Sequence, residues 1–567
     1  MRKQTKLVAV LSASALLAMG ASLTAFAATG WTQEDGTWYY YDRDGERVTD
    51  EWRKSGDYWF YLGDDGEMVT DQLIEDDDDY YYVNADGAMI SNAWVAIENE
   101  DAGDEDEPDQ YWYYFQSNGK AYTGSDSSTT TKFKTINGKK YAFDEEGRML
   151  YGWVKDGERQ TGDDDWTDAE YYLGDENDGA MSTGWRLISI TDEDWDEDDD
   201  TFDEDQDRWF YFKSNGKRYA NTGSNDFVVK TINGKKYGFD ENGRMVAEWN
   251  RATIVGTRGD ATYTKEWSYF SSPEDGARKT KGWFKVIPDE DLDADEYDDA
   301  AEHWYYADGS GNLYANEIKT INGRKYAFDS YGRMMDGLKL IQFAKDGNRV
   351  STKEIVGSWG DDEHADYLFD TEDNLDQAIA DIMAAGLDDE YSFMYFGDED
   401  DGAVKTGKQK IDIDGDEVEF EFKKDGSKKG QGRNEVDESD KVAYAMGKRY
   451  KADSDNKYEI VLELQKKEGK DVVSTGLVSM TVDEYIGLIA GDAVEKDDEK
   501  IYFEKDVTNA LPTTYELNGE TMKIVNEYVV NTSGSLVKSK SKCTDGDDYI
   551  IKVTSPFNIE KIYEDLD

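Results

Sequence analysis

One short run of residues returns at fixed spacing, and that spacing constrains the fold more than any other property of the chain. It is first stated as Trp38-Tyr39-Tyr40-Tyr41, followed by Gly45 and then Trp52. It returns as Tyr58-Trp59-Phe60-Tyr61 with Gly66 and Met68, and again as Tyr80-Tyr81-Tyr82 with Gly87 and Met89. Gly45, Gly66 and Gly87 stand 21 residues apart. A constant period of this length marks an architecture of repeated supersecondary units. Aromatic runs bounded by Asp-Gly or Asn-Gly predict β-hairpins, because those residues accept the positive φ angles of tight turns. Each unit reads as a Tyr-rich strand, a turn and a closing tryptophan. Alternation places Trp38 and Tyr40 on one face and Tyr39 and Tyr41 on the other.

A longer period lies over the short one. Lys134-Thr135-Ile136-Asn137-Gly138-Lys139-Lys140-Tyr141-Ala142-Phe143-Asp144 recurs from Lys230 and from Lys319, at offsets of 96 and 89 residues. Methionines two residues past a turn glycine, such as Met68, Met89, Met149, Met181, Met245 and Met334, are expected to pack on the rings of the next hairpin. Between the anchors run acidic segments such as 100–107 and 192–207, read as solvated loops. Loose calcium binding is the alternative reading, although none matches the 12-residue calcium loop.

The net charge of -63 argues against nucleic acid, whose phosphates are bound by Lys and Arg, and against an anionic membrane surface. Charge alone would also suit disorder, but 13% aromatic residues point to an ordered chain whose apolar material is mostly rings. Cys543 is the single cysteine, so no internal disulfide forms. His303 and His364 are the only histidines, and His303 reads as a strand-surface residue. No cofactor is expected.

Residues 1–27 read as a secretory leader, with Arg2, Lys3 and Lys6 ahead of an apolar stretch and Ala25-Phe26-Ala27 at its end. Hairpin repeats with acidic insertions are expected over 28–338. Degenerate repeats follow over 339–456, with one helix at 374–385 marked by Leu375, Ile379, Ile382 and Met383. An inserted β or α+β unit is expected at 457–525 and a terminal repeat-like hairpin at 526–567.

The Gly-Trp pairs Gly152-Trp153, Gly184-Trp185 and Gly282-Trp283, each beside a Tyr-rich hairpin, resemble the choline-binding and glucan-binding cell-wall repeats of secreted Gram-positive proteins. The resemblance covers roughly residues 30–456 and touches 526–553. It implies an all-β solenoid of stacked β-hairpins with a small β or α+β unit near the C-terminus. It further implies a ligand site where a tryptophan joins strand aromatics of its own hairpin and the next. Carried over by position, Trp52 with Trp59 and Tyr61 makes one such wall. Trp31 with Trp38 makes a second, and Trp94, Trp153, Trp185 and Trp283 with their nearest strand aromatics make others. The implied partner is a wall polymer, choline-substituted teichoic acid or glucan, met by a non-catalytic protein at the cell-wall surface. Alternatives are an adhesin or spacer without small-ligand binding, and the binding region of a wall hydrolase. Leu73 and Leu338 depart from the pattern where tryptophan is expected, and Trp249 lacks its preceding glycine.

Overall fold

The computed structural model describes residues 29–99, 102–103, 107–124, 130–162, 165–190, 207–253, 256–347, 349–360, 371–468, 471–489, 494–497, 499–503, 514–517 and 520–565. The expected leader, much of the acidic runs 100–107 and 192–207, and His364 lie outside them. The described chain is nearly all β, as antiparallel hairpins followed by broader sheets. It divides into two compact units, Met1–Glu248 with Ser271–Ala277, and Trp249–Phe270 with Arg278–Asp567.

Within the first unit, each tryptophan read as closing a hairpin instead opens the following one. Strand Gly30–Glu34 pairs with Thr37–Tyr41, placing Trp31 opposite Tyr40. Strand Glu51–Ser55 pairs with Tyr58–Leu62, placing Trp52 opposite Tyr61. Trp94 faces Tyr114, Trp153 faces Tyr172 and Trp185 faces Tyr211 in the same way. The backbone gives the reason. Strand reversal in the right-twisted sense takes two successive positive φ angles, found at Asp35-Gly36, Asn137-Gly138, Asp156-Gly157 and Asn233-Gly234. The Asp-Gly glycines Gly45, Gly66 and Gly87 stand in links between hairpins, where Gly45 N donates to Asp42 O at 3.3 Å.

Those links make the stack. The residue two past the link glycine bridges back to its own hairpin, as in Leu62↔Met68 and Phe239↔Met245. Its amide also reaches the preceding hairpin: Met68 N donates to Trp38 O at 2.7 Å and Met245 N to Trp209 O at 2.8 Å. The methionine side chains do not lie on the rings of the next hairpin, as the sequence suggests. Met149 and Met245 cluster with rings of their own and the preceding hairpin. Toward the next hairpin, the thioether covers the link glycine: Met68 covers Gly87, Met89 Gly119, Met181 Gly216 and Met245 Gly276. Strand residues on the face opposite their own hairpin's first-strand tryptophan or leucine, including Leu62, Val83, Phe115 and Phe212, are fully buried in the stack, as is Phe239 of the second anchor.

The second unit begins with the same grammar. Trp249 faces Tyr269, Trp283 faces Tyr306, and anchor strands Glu317–Ile321 and Arg324–Phe328 follow. The sheets then widen. A five-stranded sheet carries strands Leu338–Asp346, Arg349–Trp359 and Tyr391–Tyr395. Helix Glu372–Ala384 is capped by Thr371, whose side chain accepts from Asn374 N, and it buries Leu375, Ile379, Ile382 and Met383. Strands Tyr458–Glu468 and Glu520–Asn531 pair directly, with Asp471–Met480 and the helix Val482–Ile489 placed between them in sequence. The expected boundary between 525 and 526 therefore coincides with no structural break, since one strand runs through it. Cys543 is buried in the last sheet, and His303 is half-buried with Nε2 2.8 Å from Glu296 Oε2.

Candidate ligand-binding aromatic clusters

The sequence builds each cluster from three strand positions. Register sets a tryptophan of the first strand opposite a tyrosine of the second. Alternation brings the residue two before that tyrosine to the same face, and stacking adds a ring from the next hairpin. The clusters of Trp94, Trp185 and Trp283 repeat one another closely. Trp94 lies 5.2 Å from Tyr114 and 4.9 Å from Tyr141 of the next hairpin, both edge-on, and stacks on Phe143 at 5.8 Å. Trp185 lies 5.3 Å from Tyr211, 4.8 Å from Tyr237 and 5.6 Å from Phe239. Trp283 lies 5.0 Å from Tyr306, 4.8 Å from Tyr326 and 5.7 Å from Phe328. Trp209 stands 6.2 Å from Trp185, and Trp304 stands 6.4 Å from Trp283. Trp112 occupies the matching place beside Trp94.

In all three clusters the phenylalanine is buried while the tryptophans stay half-buried. The result is a closed floor with ring faces reachable from solvent. Offset and edge-on ring pairs contribute about 0.5–1.5 kcal/mol each beyond their burial, so the clusters also hold successive hairpins together. The negative faces of such rings attract cations, and quaternary ammonium recognition is the standard use of this arrangement.

Acceptors and ion pairs fix the rims. Trp304 Nε1 donates to Asp400 Oδ1 at 3.1 Å, and Trp112 Nε1 to Asn177 Oδ1 at 3.4 Å. Asp400 and Asn177 belong to longer links that also pair with the anchor turns: Lys139 with Asp178 at 2.9 Å, and Arg324 with Asp401 at 3.4 Å. Lys235 and Asp275 repeat this pair at 2.9 Å. Lys134, Lys230 and Lys319 cover the link tyrosines Tyr122, Tyr219 and Tyr314 at 5.0, 4.4 and 4.7 Å.

The other tryptophans singled out from the sequence are placed as follows. Trp52 lies 5.1 Å from both Tyr61 and Tyr81, with Nε1 donating to Asp76 Oδ2 at 3.0 Å. Burial, with Asp76 and Asp50 nearby, pushes the Tyr61 hydroxyl up. Trp59 is 41% exposed, the most open of these rings. Trp31 meets Tyr40 at 5.5 Å and Phe60 at 5.4 Å, while Trp38 is half-buried opposite Gln33. Trp153 is packed under Trp166 and Phe210, at 6.2 and 5.1 Å.

Sequence reasoning did not name the rings contributed by the next hairpin, Tyr81, Tyr141, Tyr237 and Tyr326. It also omitted Trp112, Trp209, Trp304 and Trp249. The repeated anchor motif was the available signal, since Tyr141, Tyr237 and Tyr326 occupy one position of it. After the first and third anchors the packing uses other residues, such as Phe133 on Tyr171, and Ile318 and Ala327 with Met394.

Two of the structure's cavities are lined by charged side chains. One, of 340 Å³, lies beside Asp144, Arg148 and Arg159, and the other, of 440 Å³, beside Tyr40, Arg43 and Arg53. No tryptophan lines either. Ring faces rather than enclosed volume hold a cation, so the ring clusters are the candidate sites. Among the described residues, no group of three or more His, Cys, Asp or Glu is arranged around a metal position. Among the same residues, no helix is long and apolar enough to cross a membrane.

Fold and clusters together define a repeat protein of stacked β-hairpins with aromatic clusters at successive hairpin interfaces. A family model described as a choline-binding repeat matches residues 48–94, which hold the Trp52 cluster. One described as a putative cell wall binding repeat matches 29–46 and 109–121. Within residues 29–121 the chain thus carries segments similar to cell-wall-binding and choline-binding repeats. It is similar to glucosyltransferase-S of Streptococcus mutans serotype c, at 27% identity over 241 residues, covering 39% of this chain and 14% of that protein. The modular autolysin LytC of Streptococcus pneumoniae, solved with a synthetic peptidoglycan ligand, aligns at 18% identity and a TM-score of 0.30, over 56% of this chain and 55% of that one. Choline binding protein F of the same organism aligns at 21% identity and a TM-score of 0.24, over 55% of this chain and all of that one. The chain thus spans a small part of the curated relative and about half of LytC.

Proposed function

We propose that this protein is a non-catalytic, secreted wall-binding protein that holds choline-bearing polymer through its repeated aromatic clusters. The observation that carries the reading is the fourfold recurrence, at Trp52, Trp94, Trp185 and Trp283, of one constellation, a tryptophan within 4.8–5.3 Å of two tyrosines from successive hairpins. A single cluster is a weak binder. Two or three cation–π contacts of about 1–2 kcal/mol each give an affinity near the millimolar level. Several clusters meeting a polymer that repeats the ligand raise retention by on the order of 10²–10⁴. The net charge of -63 supports a cationic ligand and disfavours an anionic one.

A glucan is the second reading, favoured by the likeness to a glucosyltransferase and by the same ring faces, which also stack on sugars. Retention on purified cell walls, competed separately with free choline and with glucan oligomers, separates the two. Release by millimolar choline supports the first reading, and release by glucan alone supports the second. Retention unaffected by either competitor would remove both.

A further inference from the structure

The ring clusters fall into two kinds, and the difference lies in what the chain itself places against the tryptophan. Five clusters have a methionine at the link position two past the glycine: Met68 and Met89 for Trp31 and Trp52, and Met149, Met245 and Met334 for Trp94, Trp185 and Trp283. Among the described residues, no cation of the protein lies over these five tryptophans, while Lys230 stands 5.6 Å from the Tyr211 ring beside Trp185 and Arg53 stands 5.3 Å from the Tyr40 ring beside Trp31. At the corresponding link position beside Trp153 stands Arg218, after Gly216. Its guanidinium carbon lies 5.6 Å from the Trp153 ring centroid. Arg218 donates through Nη1 to Trp166 O at 2.8 Å and through Nη2 to Thr167 O. Those carbonyls belong to the inserted turn Asp165–Thr167, whose Trp166 ring is 4% exposed and closes the cluster from outside.

The Trp249 cluster is filled by different residues to the same end. Arg251 lies over Trp267 at 5.4 Å and over Tyr263 at 5.6 Å, and donates to Tyr263 Oη at 2.6 Å. Tyr263 donates in turn to Asp291 O at 3.0 Å, and Leu292 is fully buried in the same cluster. Trp249 Nε1 donates to Ile287 O at 2.7 Å. Residues of both insertions, Tyr263 from the first and Ile287, Asp291 and Leu292 from the second, thus converge on the rings.

We propose that the chain occupies its Trp153 and Trp249 clusters with its own arginines, Arg218 and Arg251, so that only the methionine-bearing class admits an exogenous ammonium group. The inference rests on the binding role proposed above and assigns which clusters perform it. A guanidinium held over a ring already satisfies the negative face that would attract a ligand. The thioether of methionine is uncharged and leaves that face available. Arg218 also lies at the repeat's own methionine position, with its side chain over Gly243 as Met181 lies over Gly216. Burial pushes its guanidinium down to about 10, which marks a cation removed from water.

The test is a titration of the full chain, labelled with ¹⁵N in tryptophan, with choline chloride, reading the indole N–H signals. Signals are assigned by replacing Trp153, Trp185 and Trp267 with Phe one at a time. In the unaltered protein the Trp185 signal is expected to shift with choline while Trp153 and Trp267 stay in place. In Arg218→Met the Trp153 signal is expected to join the titrating set, with a midpoint within about tenfold of that of Trp185. Movement of Trp153 together with Trp185 in the unaltered protein would overturn the inference and leave the binding role standing. Absence of any shift would overturn both. A folded Arg218→Met in which Trp153 stays silent would also overturn the inference, and if that variant fails to fold, the unaltered protein alone decides.

Discussion

Trp185 and Tyr237 belong to successive hairpins, yet their ring centroids lie 4.8 Å apart with the planes at 70°. The contact exists because the anchor strand Lys235–Phe239 stacks on the hairpin before it and turns Tyr237 toward Trp185, while Phe239 closes the floor. One pair of rings therefore serves both the stack and the candidate site.

Replacing Tyr237 with Leu keeps apolar volume at this interface and removes one electron-rich face. Loss of a cation–π contact of about 1–2 kcal/mol corresponds to roughly 5–30-fold weaker choline binding at this cluster. The Trp185 indole signal should need that much more choline to reach its midpoint, with the Trp283 signal unaffected. An unchanged Trp185 midpoint would remove Tyr237 from the site.

Gly216 has φ +88, and a Cβ there would run into the Met181 thioether. Gly216→Ala meets two penalties, backbone strain of about 1–2 kcal/mol and overpacking of about 1–3 kcal/mol. Adding Met181→Ala relieves only the second. The pair should show a favourable coupling of at least about 1 kcal/mol in urea unfolding. Strict additivity would mean that the thioether does not fill the glycine's space.

Arg333 is held by Asp329 at 2.7 Å, Glu296 at 2.6 Å and Asp293 at 3.2 Å, and the Asp293 side chain is 5% exposed. Arg333→Met should cost about 3–5 kcal/mol near neutral pH, because it strands buried carboxylates. Burial already pushes the Asp293 carboxyl above its ordinary range. An acid raised in the folded state adds stability that is fully present below its unfolded pKa of about 3.9, and that stability is lost as pH rises through the folded value. Without the arginine this effect grows, so the deficit should shrink between pH 7 and pH 4.5. A deficit equal at both pH values would contradict the account.

Cys543 is fully buried, and burial pushes its thiol up. A thiol reagent should therefore label the native protein only through opening of the last sheet. Labelling should accelerate through the urea transition in step with loss of near-ultraviolet ellipticity. Rapid labelling of the native chain would show that this sheet opens independently.

Much of this architecture was legible because its signals are local. The 21-residue spacing gave the repeat, the alternation in Trp38-Tyr39-Tyr40 gave the faces, and the Asn-Gly pairs gave the anchor turns. Leu375, Ile379, Ile382 and Met383 gave the helix, which the structure places at Glu372–Ala384. The phase of the repeat was misjudged. Asp-Gly links such as Asp44-Gly45 and true hairpin turns such as Asp35-Gly36 both end in glycine, and only backbone angles separate one positive φ from two. Trp52 was thereby assigned to the hairpin before its own. The methionines were misplaced for a related reason, since their neighbour across the stack is a glycine with no side chain to advertise it.

By itself the sequence determined that this chain forms hairpins rich in exposed-edge aromatics, because turn chemistry and side-chain alternation act over a few residues. Only the tertiary structure decided which rings meet, since Trp185 finds Tyr237 across a gap of 52 residues through stacking. It alone also decided that Arg218 rests over Trp153 while Met245 clusters with Trp185. Such contacts depend on how one hairpin is laid on another, and that placement is fixed by the sum of many small packing terms.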